Sequence, residues 1–405
     1  MSTVTALRAM GRALDDPESL GRALDELLGA RREPPALFAL GEPTHGIPAF
    51  PLLRNDILAH LVERGFRSIA LESDFFAAAL VDDYVNGSAG AIDTVLRSGF
   101  SHRFGNVPGN RELVEWLRAH NADRAPGDRV HFYGFDVPFD QTELPSPRGS
   151  LTAAIACLPE ALRPESACAA DDLLGDDGEW TNAGATYDPE LAFADPDRLR
   201  ALRVLADDVA SALRRAAAAL RAADPAGYDL AAAHARTAQG LLRYHTALAR
   251  RGPDRIALLL SLRAEMMADN LLAILAREQH RGPTLVFAHN THLRRARSRM
   301  TVGAADVSWD SAGALVATAL GEWYVFVATD ADPHSESGTL QGELAAVTAG
   351  RALFPAPALR AALPAATTAS APIVPGHIPL TPDDLDCADA VVFIADTDGK
   401  RYPYW

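Results

Sequence analysis

The sequence predicts an α/β fold, with a mixed, largely parallel central sheet flanked by helices and a helical insertion subdomain. Three observations carry this expectation. Short apolar runs bounded by turn residues recur at 36–40, 66–72, 129–136 and 283–289, as buried strands do. Stretches with helical spacing of apolar residues stand between them, so strand, helix and strand alternate in the order of a right-handed crossover. Three long patterns rich in alanine and leucine then follow one another at 196–223, 227–250 and 254–279 with no strand between them.

Taken in order, an amphipathic helix at 20–28 precedes the breaker Arg-Arg-Glu-Pro-Pro at 31–35 and the opening strand at 36–40. That strand empties into Gly-Glu-Pro-Thr-His-Gly at 41–46, where Gly41 and Gly46 let the backbone turn sharply. A helix at 51–64 carries Leu52, Leu53, Ile57, Leu58, Leu61 and Val62 at helical spacing and ends at Gly65. The strand at 66–72 follows, then a helix at 75–86, an irregular stretch at 87–108, a helix at 110–122 and the strand at 129–136. Three strands thus run into acids, at Glu42, Glu72 and Asp136, which aligns those acids along one edge of a cleft at the carboxyl ends of the strands.

From 145 to 196 proline, glycine and acidic clusters predict a lid or connecting loop, and the three helical patterns form the insertion. Strand character returns at 283–289 and runs into His289, Asn290, Thr291 and His292. A helix at 311–320 and strands at 323–329 and 390–395 complete the core, while 353–379, rich in alanine and proline, reads as surface loop. The expected organisation is a first part of the core at 1–145, lid loop and insertion at 146–280, and a second part of the core at 281–405.

Composition narrows the function. A 405-residue chain, 48% hydrophobic, has material for a large core. A formal charge of -15 opposes nucleic acid, which is bound through clustered Lys and Arg, and favours a small-molecule partner. Cys157, Cys168 and Cys387 form no CxxC pair and leave an odd thiol, so neither a disulfide framework nor a cysteine metal site is expected. Without an apolar signal segment or a stretch of membrane-spanning length, no membrane partner is expected and the cytoplasm is the expected location. The oligomeric state is left unassigned.

The candidate chemistry is acid/base. Glu42 and His45 lie three apart in a glycine-bounded loop, and an imidazole oriented by a carboxylate accepts a proton from water near neutral pH. The plain alternative is a helix-capping Glu42 and a surface His45. His289 and His292 extend a second strand end, although a histidine there often only hydrogen-bonds backbone. Arg54 binds an oxyanion, holds Glu42 and Glu72 ionised, or forms an ordinary salt bridge. Arg263 shares a helical face with Met267 and Asn270 and holds the insertion or contacts substrate. His102 is assigned to the surface or to substrate contact, and Asp136 to structure unless a deep cleft exposes it. No Gly-x-Ser-x-Gly elbow, phosphate loop or dinucleotide fingerprint is present.

Several stretches resemble the erythromycin esterase family. They are Gly-Glu-Pro-Thr-His-Gly at 41–46 with Arg54 downstream, Ile-Ala-Leu-Glu at 69–72, Trp-Leu-Arg-Ala-His-Asn at 116–121, Phe-Tyr-Gly-Phe-Asp at 132–136, Arg-Ala-Glu-Met-Met-Ala-Asp-Asn at 263–270 and Phe-Ala-His-Asn-Thr-His at 287–292. The resemblance implies an α/β core with a helical subdomain, and hydrolysis of a macrolide lactone by water activated without a serine nucleophile. It assigns the general base to His45 and brings Glu42, Arg54, Glu72, His289 and His292 to the same cleft. The sequence departs from better-known members at 97–110 and 144–195, both expected to border substrate.

The leading expectation is therefore an erythromycin esterase-like carboxylic ester hydrolase without a cofactor, acting on a macrolide or similar bulky natural product, as in antibiotic resistance. Two alternatives stay open. The same scaffold suits elimination, cyclisation or acyl transfer in natural-product biosynthesis, and Glu42, His45, Glu72, His289 and His292 are acceptable ligands for a divalent metal, although their spacing is no recognised metal pattern.

Overall fold

The computed structural model describes residues 2–139, 144–303, 305–332 and 336–404. The described strands are β1 (Arg12–Ala13), β2 (Leu37–Glu42), β3 (Ser68–Asp74), β4 (His131–Asp136), β5 (Thr284–His289), β6 (Arg297–Val302), β7 (Ala305–Asp310), β8 (Tyr324–Ala331), β9 (Arg351–Pro355) and β10 (Ala390–Ile394). An eight-stranded sheet runs in the order β1-β9-β10-β8-β2-β5-β3-β4. Its neighbours from β10 to β4 are all parallel, and β9 pairs antiparallel with both β1 and β10. The expected mixed, largely parallel sheet is thus present. Strands β6 and β7 form a separate antiparallel pair.

The chain divides into two compact units, one of residues 1–136 and 271–405, the other of residues 137–270. In the first, Phe38 and Leu40 of β2, Ile69 of β3, Leu285 of β5 and Val325 and Val327 of β8 are buried with Phe50, Leu53, Ile57 and Leu61 of the helix Ala49–Glu63. In the second, the helices Pro196–Ala223 and Pro225–Leu248 each begin with an aspartate whose side chain accepts backbone N–H groups, followed by a proline. Their leucine and alanine faces form a core with Leu151, and Trp180 stacks on Phe193 at 3.9 Å between centroids.

Three stretches depart from expectation. The region 353–379, read as surface loop, holds most of β9 and the helix Ala356–Ala362, whose proline stands in the first turn where its missing N–H costs nothing. The stretch 87–108 contains the helix Ile92–Gly99, and 145–196 contains the helix Arg148–Ala156. The other predicted elements lie within a few residues of their expected bounds, while the helices Thr3–Met10 and Leu340–Ala345 and the strands β1, β6 and β7 have no predicted counterpart.

The sheet centre sets up the functional edge. Beyond the last β2–β8 pair, Leu40 with Val327, the strands separate and the Asn290 amide fills the gap. Its Nδ2 donates to Thr329 O at 2.8 Å and its Oδ1 accepts from Thr329 N at 3.3 Å, so it replaces a peptide group of the ladder. Gly41 leaves room for it, since a Cβ there would lie 2.0 Å from Asn290 Oδ1. Asn290→Ala leaves two buried backbone groups unpaired, and chemical denaturation is expected to show a loss of about 2–6 kcal/mol, at about 1–3 kcal/mol per orphaned group.

Candidate active site

Parallel pairing puts the carboxyl ends of β2, β5 and β3 side by side. Glu42 is in register with His289, and Leu71 with Phe287, so Glu72 emerges on the far side of β5 at nearly the same level. Both carboxylates are buried, at 7% and 5% exposure. His45 lies between them: its Nδ1 is 2.8 Å from Glu42 Oε1 and its Nε2 is 3.7 Å from Glu72 Oε1. An ionised Glu42 only accepts, so His45 Nδ1 carries the proton and the Nε2 lone pair faces Glu72.

Glu72 gathers the second strand end. Its Oε2 accepts the backbone N–H of His289 at 2.9 Å, and its Oε1 is 3.2 Å from Nε2 of His292. His289 itself has both ring nitrogens committed. Its Nδ1 accepts from Thr291 N at 3.1 Å, and its Nε2 donates to Pro43 O at 2.9 Å. This histidine therefore ties the two strand-end loops together and holds a fixed tautomer.

Arg54, only 1% exposed, reaches the same place from the helix Ala49–Glu63. It donates to Asn55 Oδ1 at 2.7 Å, Asn110 Oδ1 at 2.8 Å and Gly109 O at 2.9 Å, and its guanidinium lies over the Phe287 ring at 5.0 Å. Among the described residues no carboxylate lies within ion-pair distance of it, so the ordinary salt-bridge alternative gives way to an anchor for the turn before the helix Asn110–Asn121. Burial lowers its pKa to about 9, against the pull of Glu42 and Glu112, so it stays cationic at neutral pH. Burial likewise raises the pKa of Glu42, opposed by the hydrogen bond from His45 and the charge of Arg54. Glu42, His45, Arg54, Glu72, Phe104 and Phe287 line a cavity of about 30 Å3.

The family model described as erythromycin esterase matches residues 61–341. The chain belongs to the erythromycin esterase family. The match begins after Glu42, His45 and Arg54, which the fold brings to the matched Glu72, His289 and His292. A curated relative, erythromycin esterase type II of Escherichia coli, is 30% identical over 125 residues, a match spanning 31% of this chain and 28% of that protein. Among solved structures, a Bacillus cereus protein shares the fold at TM-score 0.69 and 18% identity, covering 97% of this chain and 96% of that one. A mutant of the erythromycin esterase EreC in its open conformation gives 0.68 and 16%, covering 94% of each. A succinoglycan biosynthesis protein gives 0.60 and 18%, covering 97% and 96%.

His102, expected at the surface or against substrate, is buried at 5% exposure with its Nε2 3.6 Å from Asp136 Oδ2, and its ring is 5.4 Å from Phe104. Asp136 is fully buried. Arg263 belongs to the unit of residues 137–270, where its guanidinium lies 5.7 Å from the Phe139 ring centre. Asn55, Asn110 and Thr291 are site residues that sequence reasoning missed, and so are Phe104 and Tyr404, whose rings lie 4.9 and 5.1 Å from that of His45. The neighbours of Thr291 in the His-Asn-Thr-His run give it a signal. The others act across the fold and have none. Among the described residues no group of three or more His, Cys, Asp or Glu is placed to hold a metal ion, and no helix is long and apolar enough to cross a membrane.

Burial, helped by the charges of His45 and His292, lowers the His289 pKa from 6.5 to about 3. Below pH 6.5 the unfolded chain takes up a proton that the folded chain refuses, so the stability from neutral His289 is complete above that pH and is lost as pH falls toward 3. Between pH 7 and 5 this one group is expected to remove about 1–2 kcal/mol. Denaturation at both values, in wild type and His289→Gln, measures it as a shallower pH slope in the variant.

Proposed function

We propose that the protein hydrolyses a lactone or ester of a macrolide or similar bulky natural product, with His45 as the general base that activates water. The observation behind this reading is the facing of His45 Nε2 and Glu72 Oε1 across 3.7 Å, beside a cavity of about 30 Å3. The cavity has room for a water, and a water held between these two atoms would donate an O–H group to each.

Such a water would lose one proton to His45 as it attacks the ester carbonyl. Glu42, accepting from Nδ1 at 2.8 Å, would hold the ring in the tautomer that presents Nε2 and would stabilise the imidazolium that forms. Glu72 would orient the second O–H group. Arg54 supplies a nearby positive charge that suits a developing oxyanion. The proton on His45 would then pass to the departing alkoxide, which restores the neutral imidazole.

The partner in this reading is a small molecule. The chemistry uses side chains alone and needs no cofactor. The free thiols Cys157, Cys168 and Cys387 suit a reducing compartment such as the cytoplasm.

His45→Ala is expected to fold normally and to lower turnover by about 10²–10⁴, the range for losing a positioned base. The assay is a panel of macrolides and other lactones read by product mass. Full activity in the variant removes His45 from the mechanism, and products that have not gained a water point to elimination, cyclisation or acyl transfer. Chelator treatment is expected to leave the rate unchanged, whereas loss of activity that returns with added divalent metal would assign the chemistry to a bound ion.

A further inference from the structure

We propose that Tyr404 is a specificity-determining residue of this site, whose ring covers an edge of His45 and limits which esters reach it. The proposal rests on the reading of His45 as the base. The Tyr404 ring meets the imidazole edge-on at 5.1 Å and 77°, Phe104 lies at 4.9 Å from the same imidazole, and the two aromatic rings are 6.1 Å apart. Together they flank the imidazole that Glu42 holds from the third side.

The position of Tyr404 is built into two distant turns. Tyr402 N donates to Gly46 O at 2.8 Å, which seats the segment on the His45 loop. The fit is close enough that a Cβ on Gly46 would lie 2.3 Å from Tyr402 O, and one on Gly376 would lie 2.8 Å from the Tyr404 hydroxyl oxygen. Both glycines have positive φ, 79° and 83°, so two backbone turns that favour glycine form the seat of one side chain.

The turn that carries Gly376 is itself fixed. His377 Nε2 is 2.9 Å from Asp330 Oδ1, Leu380 N donates to Asp330 Oδ2 at 2.7 Å, and Ile378 N donates to Pro43 O at 2.9 Å. Gly376 also lines a cleft of about 900 Å3 with Arg299, Met300, Asp306, Val307 and Ile378. Volumes of this size accept bulky ligands, whereas the cavity at His45 takes a water. The Tyr404 hydroxyl lies beside Gly376, a lining residue of this cleft, and under the proposal Tyr404 controls how far a bulky ester advances toward His45.

The test is the rate at which diethyl pyrocarbonate acylates His45, followed by peptide mass in wild type, Tyr404→Ala and Tyr404→Phe and normalised to His120 in the same samples. Tyr404→Ala is expected to raise the His45 rate by up to about tenfold, the Boltzmann factor of one aromatic contact, with Tyr404→Phe close to wild type. A His45 rate that is the same in wild type and Tyr404→Ala overturns the proposal. A rise at His120 as large as that at His45 reports general loosening and overturns it too. The measurement needs no turnover, so a protein inactive on every ester tested would sink the hydrolase reading and leave this result standing. If turnover is found, the kcat/KM ratio of a bulky lactone to a small aryl ester should rise in Tyr404→Ala, and an unchanged ratio contradicts the assigned role in specificity.

Discussion

Two carboxylates, Glu42 and Glu72, are buried on either side of β5 at the carboxyl ends of the strands, and the surrounding structure is arranged to tolerate them. A buried carboxylate is costly unless donors surround it. Here the donors come from imidazoles and backbone. His45 serves Glu42, while His292 and the His289 N–H serve Glu72. Among the described residues the buried cation Arg54 forms no ion pair with either acid, since its hydrogen bonds go to Asn55, Asn110 and Gly109. Glu42 is left with a raised pKa and one strong partner, and that partner is the histidine whose other nitrogen faces Glu72.

The positions of these groups are fixed by backbone. Pro43 O accepts both from His289 Nε2 and from Ile378 N, so a single carbonyl joins the loop after β2, the loop after β5 and the turn at 372–379. The Asn290 amide takes the place of a peptide group between β2 and β8, and Thr329 Oγ1 donates to Gly41 O at 2.7 Å. A site carried on strand ends braced in this way keeps its distances, and under the proposed reading such preorganisation would favour the acid/base pair.

Much of this was legible in the sequence because strand ends announce themselves. An apolar run that stops at a glycine and a carboxylate marks β2, and apolar runs that stop at Glu72 and at His289 mark β3 and β5, the latter lying between β2 and β3. The spacing of three between Glu42 and His45 allowed the contact that the structure shows. The hydrogen-bond partners of Arg54 were not legible, because its acceptors are a carbonyl and two amides, one of each more than fifty residues away in sequence. Tyr404 and Phe104 were invisible for the same reason, since their role exists only once the chain has brought them to His45. The prolines that made 353–379 read as loop misled locally, because one of them sits in the first turn of a helix where it fits.

The most direct measurement of the central claim is turnover of a macrolide lactone or comparable ester in water labelled with the heavy oxygen isotope, with both product and protein followed by mass. Activation of water by His45 predicts one labelled oxygen in the carboxylate of each product molecule, and no acylated protein at any time. Product of the same mass in labelled and ordinary water, or an acyl adduct that forms and decays with turnover, would contradict it.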